Sequence, residues 1–185
     1  MKNAMMISLK MLLAMTVLTG IIYPAFIWGF AQLVTPEKSN GSLIKQNKIF
    51  IGSELLAQKM TSEKYFFERP SAVDYNTVAS GGSNLGPTSA DLKKIVQERS
   101  MALLKNHTGV IPQDLIFASA SGLDPHISPA AAEFQIERVA KARSMNITTV
   151  RNLVIQLTEK PQFGILGESR VNVLKLNLAL NEIKD

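Results

Sequence analysis

The sequence predicts an α+β protein in which one N-terminal transmembrane helix precedes a single helix-rich domain with short strands and long ordered loops. Three observations carry that expectation. An apolar run fills positions 11–34, apolar residues recur at helical spacing in several later segments, and Gly, Pro and Ser gather in two long connections between those segments.

The 185 residues are 46% hydrophobic, but much of that apolarity lies near the N-terminus. From Met11 to Val34 the only non-aromatic polar side chains are Thr16, Thr19 and Gln32. A crossing needs about 20 apolar residues, so this run spans hydrocarbon with some tilt. A cleaved secretory signal is the competing possibility, because Lys2 and Lys10 form a basic leader and Gly29-Phe30-Ala31 is a small-x-small pattern. The apolar core of a signal runs roughly 7 to 15 residues, and the longer stretch here favours a retained anchor. Basic residues nearly balance across it, with Lys2 and Lys10 before and Lys38, Lys45 and Lys48 after. Lys10 abuts the run, and a long following domain translocates largely regardless of charge. The expectation is therefore a single-pass protein of the bacterial plasma membrane, N-terminus cytoplasmic and domain extracytoplasmic. Its expected divisions are a cytoplasmic tail at 1–10, the transmembrane helix at 11–34, a linker at 35–42 and the extracytoplasmic domain at 43–185.

The chain has no Cys, which excludes disulfides and thiolate metal sites, and carries a formal net charge of +5. Its Lys, Arg, Asp and Glu are interspersed, so the charge marks a solvated surface, not a nucleic-acid or anionic-lipid patch.

Within the domain, the apolar pairs around Lys45–Lys48 predict a hairpin over Ser42–Gly52, and Glu54–Met60 has room for one or two helical turns. Thr88-Ser89-Ala90-Asp91 approximates a capping box, after which Leu92, Ile95, Val96, Arg99 and Leu103 share one helical face. Ser128-Pro129 supplies an N-cap and first-turn proline to a second helix, with Ala132, Ile136, Val139 and Ala140 aligned. A third starts at Thr148 or Thr149 and aligns Val150, Leu153, Val154 and Leu157. The last segment, Val171–Ile183, reads as a short strand turning into a helix at Asn172. Two long connections, Phe66–Pro87 and Lys105–Ser128, remain, and loops of that length in a compact domain are usually functional.

Ser80-Gly81-Gly82-Ser83-Asn84-Leu85-Gly86-Pro87-Thr88 has the glycine spacing of a phosphate-cradling loop and opens directly into a helix. Pro87 stands where the lysine of such a loop belongs, so a tight turn built on positive-φ glycines is favoured. Ser121, Asp124 and His126 suggest a membrane-tethered extracytoplasmic hydrolase. No G-x-S-x-G elbow accompanies them, and side chains that satisfy the local backbone are the stronger expectation. His107 and His126 are the only histidines and lack the company a metal centre needs. Ala140, Ser144, Val150 and Leu153 fit a helix-turn-helix, which would make the chain a membrane-anchored DNA reader. Two packed helices without a basic stripe are the commoner outcome. Tyr65, Phe66 and Phe67 beside Arg69 read as a core plug with Arg69 exposed.

Taken in order, several segments together resemble one family. They are Gly52-Ser53-Glu54-Leu55, Phe66-Phe67-Glu68-Arg69-Pro70-Ser71-Ala72, Ser80 to Pro87, Ser119 to Pro129, Gln135 with Arg138-Val139-Ala140, and Gly167 with Arg170-Val171-Asn172-Val173-Leu174 and Leu176 to Leu180. The family is the KdpC subunit of the bacterial Kdp potassium-transporting P-type ATPase. Ala57 and Met60 depart from its pattern, where Gly and Phe are usual.

The resemblance implies an accessory subunit that is not catalytic on its own and has no intrinsic cofactor. It would assemble in the lipid bilayer with a channel-like potassium-translocating subunit and an ATP-hydrolysing subunit. Potassium would be the transported ion, with ATP entering through the partner. The family is described as a catalytic chaperone that raises the ATP affinity of that partner. Ser80, Gly81, Gly82 and Ser83 resemble the signature loop of ABC transporters, the one link to nucleotide. The residues expected to contact partners are Arg69, Ser80, Gly81, Gly82, Ser83, Asn84, Asp124, Pro125, His126 and Ser128, with no role for nucleic acid.

Overall fold

The computed structural model describes residues 2–46, 48–105 and 109–183, so His107 lies outside the described residues. The chain divides into two compact units, the first ending at Ser53 and the second beginning at Glu54.

In the first unit, α1 (Lys2–Val17), a π-helical turn (Leu18–Ile22) and α2 (Tyr23–Val34) run as one helix of 33 residues with no buried side chain. At 1.5 Å per residue it is about 50 Å long, more than the roughly 30 Å of hydrocarbon in a bilayer. It begins at Lys2, so the segment expected as a tail is itself helical. The π turn has an identifiable cause. Pro24 has no N–H and its ring crowds the carbonyl one turn back, and the helix widens just there, with the Tyr23 N–H donating to the Leu18 carbonyl. Thr19 Oγ1 returns a hydrogen bond to the Met15 carbonyl at 2.7 Å, which keeps its hydroxyl satisfied in an apolar run.

The stretch expected as a linker contains a helical turn, α3 (Pro36–Ser39), and Asn40 Nδ2 donates to Gln32 Oε1 at 3.1 Å. The expected hairpin follows as β1 (Leu43–Gln46) and β2 (Ile49–Ser53), antiparallel with a bulge between Ile44 and Lys45. Ser53 Oγ closes its base on the Gly41 carbonyl at 2.7 Å.

The second unit holds α4 (Ala90–Leu104), a 3-10 turn at Gln113–Leu115, β3 (His126–Ile127), α5 (Pro129–Arg143), α6 (Ile147–Gln156), β4 (Thr158–Glu159), β5 (Arg170–Asn172) and α7 (Val173–Glu182). The strands form an antiparallel sheet in the order β3-β5-β4. Phe66, Ile127, Ile136, Val139, Val150, Val171, Val173, Leu176 and Leu180 pack as its core.

Helix starts obey their caps. Ser128 accepts from the Ala131 N–H, and Asn172 from the Lys175 N–H, as the sequence predicts. Two starts differ by a residue or two. Ser89, not Thr88, caps α4, and Asn146 caps α6 ahead of Thr148. The helical turns expected in Glu54–Met60 are replaced by a turn and extended chain. There the Ala57 N–H donates to the Leu123 carbonyl at 3.0 Å and the Gln58 N–H to Glu68 Oε2 at 2.6 Å, so long-range acceptors take the amides a helix would use. The predicted face of α4 exists, but Leu92, Ile95, Val96, Arg99 and Leu103 are only half-buried.

Candidate functional site

A segment that leaves a turn at Ser62–Tyr65 and continues through Phe66–Arg69 is threaded across the helices and held by side chains acting as a strand partner. Asn177 accepts from the Phe66 N–H at 2.8 Å and donates back to the Phe66 carbonyl at 3.0 Å. Gln135 repeats the pattern one residue on, accepting from the Phe67 N–H at 2.7 Å and donating to the Phe67 carbonyl at 3.1 Å. Both amides are buried on otherwise apolar helix faces, where an unpaired polar group is costly. Arg138 reaches the Glu63 and Tyr65 carbonyls at 2.7 and 3.0 Å and stacks 4.0 Å from the Phe67 ring centre. Arg143 donates to the Lys64 carbonyl at 2.7 Å. Of the aromatics expected as a core plug only Phe66 is fully buried; Tyr65 and Phe67 are half-covered by these arginines.

That thread delivers Glu68 and Arg69 to the two long loops. Arg69 is not the exposed end expected of it: its Nη1 donates to Asp124 Oδ2 at 3.1 Å, and Tyr75 Oη donates to its carbonyl at 2.9 Å. Asp124 Oδ1 accepts from the His126 N–H at 3.0 Å and lies 3.6 Å from His126 Nδ1. Burial alone would raise the Asp124 carboxyl, but the hydrogen bonds from His126 and then Arg69 outweigh it and hold it below the usual range. Glu68 lies deeper. Burial pushes its carboxyl up to about 8, the Gln58 N–H opposes that, and the Asp124 charge adds to it. Its Oε1 has no hydrogen-bond partner among the described residues.

The glycine-rich loop is zipped to the second long loop. The Gly81 N–H and Ser80 Oγ both donate to the Ser121 carbonyl, at 2.8 and 3.0 Å. Gly82 needs its missing side chain because a Cβ there would lie 3.0 Å from the Ala120 carbonyl oxygen. The positive-φ turn expected of these glycines is corrected by the structure: within Ser80–Pro87 the left-handed residue is Asn84 (φ 54). Ser83 and Asn84 are exposed. The Gly81 amide is thus spent on protein, and α4 begins later, under its own Ser89 cap.

Arg69, Asp124, His126 and Ser128 come together around one cleft of about 580 Å³, whose wall is completed by Asp114, Phe117 and Glu168–Arg170. Asp114 Oδ2 holds the Ser128 N–H at 2.6 Å. Pro125 is buried behind the cleft, its carbonyl accepting from the Val173 N–H at 3.0 Å. The sequence reading missed Asp114, Phe117 and Glu168–Arg170 as site residues; Asp114 and Phe117 sit in the second long loop, and Glu168 and Ser169 lead into the three-residue β5 that Arg170 opens.

The candidate nucleophile is otherwise engaged. Ser121 Oγ accepts from the Leu123 N–H at 3.1 Å, and among the described residues no hydrogen bond joins it to His126. In the pair α5–α6, Ser144 (φ 58) ends α5 and Ala140 and Val150 are buried between the helices, while Arg151 pairs with Glu133 at 2.6 Å.

A helix long and apolar enough to cross a bilayer is followed by an α+β unit whose long loops build an open cleft. The family model described as the c chain of a K+-transporting ATPase matches residues 5–182. The chain is 49% identical to the potassium-transporting ATPase KdpC subunit of Polynucleobacter asymbioticus, covering 98% of this chain and 99% of that one. It is 52% identical to that of Geobacter metallireducens over 95% and 96% of the two chains. With that of Methylococcus capsulatus it shares 48% over 96% of each. The chain belongs to the KdpC family of potassium-transporting ATPase subunits.

Proposed function

We propose that this chain is the accessory subunit of an ATP-driven potassium import complex, stabilising its assembly and supporting the ATP-hydrolysing subunit without catalysing a reaction itself. The observation that carries this is the likeness to KdpC subunits along nearly the whole length, apolar helix included. Residues 11–34 anchor the chain in the cell membrane with the N-terminus cytoplasmic, and residues 43–185 lie outside. In that placement the domain has no ready supply of ATP, so its support of hydrolysis passes through subunit contacts. Arg69, Asp124, His126 and Ser128 around the cleft, together with Ser80–Asn84 of the glycine-rich loop, are the partner contacts, facing the outer mouth of the channel-like subunit, while Pro125, expected among them, is buried and supports the loop from within. The geometry suits this: the charged groups are held by loops cross-bonded to each other, so they meet a partner without first being ordered.

The test is a truncation that removes everything after Val34 and keeps the anchor. Complex yield and potassium uptake should both fall; wild-type values would overturn the proposal. A topology reporter fused after Asp185 should report the outer side, and a cytoplasmic signal would overturn the placement.

A further inference from the structure

β4 and β5 are joined by a loop whose tip, Pro161-Gln162-Phe163-Gly164-Ile165-Leu166-Gly167, is ordered by its own backbone. Gln162 and Leu166 exchange hydrogen bonds at 2.9 Å in each direction, the Gly164 N–H donates to the Pro161 carbonyl at 3.0 Å, and the Ile165 N–H to the Gln162 carbonyl at 3.2 Å. Phe163 takes a left-handed φ of 54, and Gly164 and Gly167 follow at 78 and 83. A bulky residue seldom accepts that conformation, and here it presents an aromatic ring to solvent.

The side chains so displayed are apolar: Phe163 is 91% exposed, Ile165 82% and Leu166 56%. Single exposed hydrophobics need no explanation, but three on one rigid turn make a contiguous knob, the kind of feature that marks an interaction site. Two occupants have suitable chemistry, a lipid surface or an apolar pocket in another protein. Lipid-seeking loops pair apolar tips with a basic flank. Around this tip Lys160 and Arg170 are matched by Glu159 and Glu168, and Arg170 is bound to Glu159 at 2.9 Å, so no cationic excess remains. A charge-balanced rim, with Arg170 and Glu159 paired, around aromatic and aliphatic anchors suits a protein interface centre. The loop also continues into the cleft wall, since Glu168, Ser169 and Arg170 line it.

We propose that Phe163 and Ile165 form a preformed knob that inserts into an apolar pocket on the water-exposed surface of another subunit of the same ATPase, beside the contacts made by the cleft. This rests on the accessory-subunit proposal above. Because the tip is already ordered, the association loses little to freezing it, and its two anchors exclude water on insertion.

The test uses the full chain co-expressed with the other chains of the ATPase. A photo-reactive benzoyl-phenylalanine in place of Phe163, irradiated in the purified complex, should yield an adduct whose mass identifies another chain of that ATPase. The same group in place of Gln97, exposed on α4, should yield none. Phe163→Asp combined with Ile165→Asp should cut the other chains retained in detergent at least tenfold, while Phe163→Leu stays within about twofold. Both side chains are largely exposed, so the Asp variant should keep the wild-type melting transition, and that measurement separates lost docking from lost folding. An adduct with lipid alone, no adduct in a complex of normal yield, or undiminished retention of the Asp variant overturns the knob. If the anchor-only truncation nevertheless abolishes assembly, the accessory role survives and only the knob falls.

Discussion

Gly122→Ala probes the junction of the two long loops, and its cost follows from distances. Gly122 has a φ of +69, and an added Cβ would lie 2.7 Å from Val73 Cγ2, 2.8 Å from the Gly81 carbonyl oxygen and 3.2 Å from Ser71 Oγ. The left-handed conformation costs a non-glycine residue about 1–2 kcal/mol. Overpacking adds about 1–3 kcal/mol, and the Gly81 oxygen cannot swing aside as a side chain could, because it is backbone beside the bond from Gly81 to Ser121. The sum is roughly 2–5 kcal/mol. Two other glycines calibrate it. At Gly82 the contact is the Ala120 carbonyl at 3.0 Å with no positive φ, for which about 1 kcal/mol is expected. At Gly81 nothing lies within 4 Å and φ is again not positive, so Gly81→Ala should be neutral or stabilise by up to about 1 kcal/mol. Thermal unfolding of the full chain in detergent micelles, followed by circular dichroism, should place the losses in the order Gly122, Gly82, Gly81. The Gly122 variant should melt about 5–15 °C below wild type. A Gly122→Ala chain melting within about 1 °C of wild type, or a Gly81→Ala chain as damaged as it, would refute the close approach of the loops.

Glu68 has a carboxyl raised from 4.5 to about 8, so the folded chain holds a proton that the unfolded chain releases. Its stabilising share is full below about pH 4.5 and is lost as pH rises through about 8, amounting to a few kcal/mol at about 1.4 kcal/mol per unit. Glu68→Gln should therefore remove that decline, measured as a melting temperature that no longer falls between pH 5 and pH 9. Asp124 runs the opposite way: its depressed carboxyl contributes above the ordinary Asp range and is lost as pH falls through its folded value. Asp124→Asn should flatten the acid limb of the stability profile below about pH 4, read by acid unfolding. Asn177→Ala strips the partners of the Phe66 N–H and carbonyl and should cost about 2–4 kcal/mol in denaturant unfolding. A loss below about 0.5 kcal/mol would mean the thread is held by Gln135 and the arginines without Asn177.

The elements legible in the sequence are those whose causes lie within one helical turn. The apolar run of 11–34 appears as part of a single helix, and Ser128-Pro129 and Asn172 start their helices where they should. Thr88 and Thr148 miss the start by a residue or two because Ser89 and Asn146 are equally good caps, and the choice falls to the chain's approach. β3 and β4, two residues each, are too short for any alternation to register. Glu54–Met60 has helical composition, yet its amides bond to Leu123 and Glu68, acceptors that no local pattern announces.

The candidate site divides along the same line. Arg69, Asp124, His126 and Ser128 were among the residues expected to contact partners, and folding gathers these four at one cleft, whereas Ser80–Asn84 and Pro125 do not line it. Glu168–Arg170 join them because β5 pairs with β3, and Asp114 because its carboxylate takes the Ser128 N–H, both contacts between distant segments. Gln135 and Asn177 are visible in the sequence as polar residues on apolar helix faces, but their role as a false strand edge is not. Asn177 serves a peptide group 111 positions away.

By itself, then, the sequence determined the membrane-length helix, the α+β class, the starts at Ser128 and Asn172 and, through its ordered motifs, the family. Each depends on side-chain chemistry acting on its own backbone or on matching whole segments. Tertiary structure decided that Glu68 loses water, that Gly122 and not Gly81 cannot bear a side chain, and that Phe163 faces solvent. Burial, close approach and exposure are properties of a residue's neighbours in space, and those are set only when chain segments far apart in order are packed against each other.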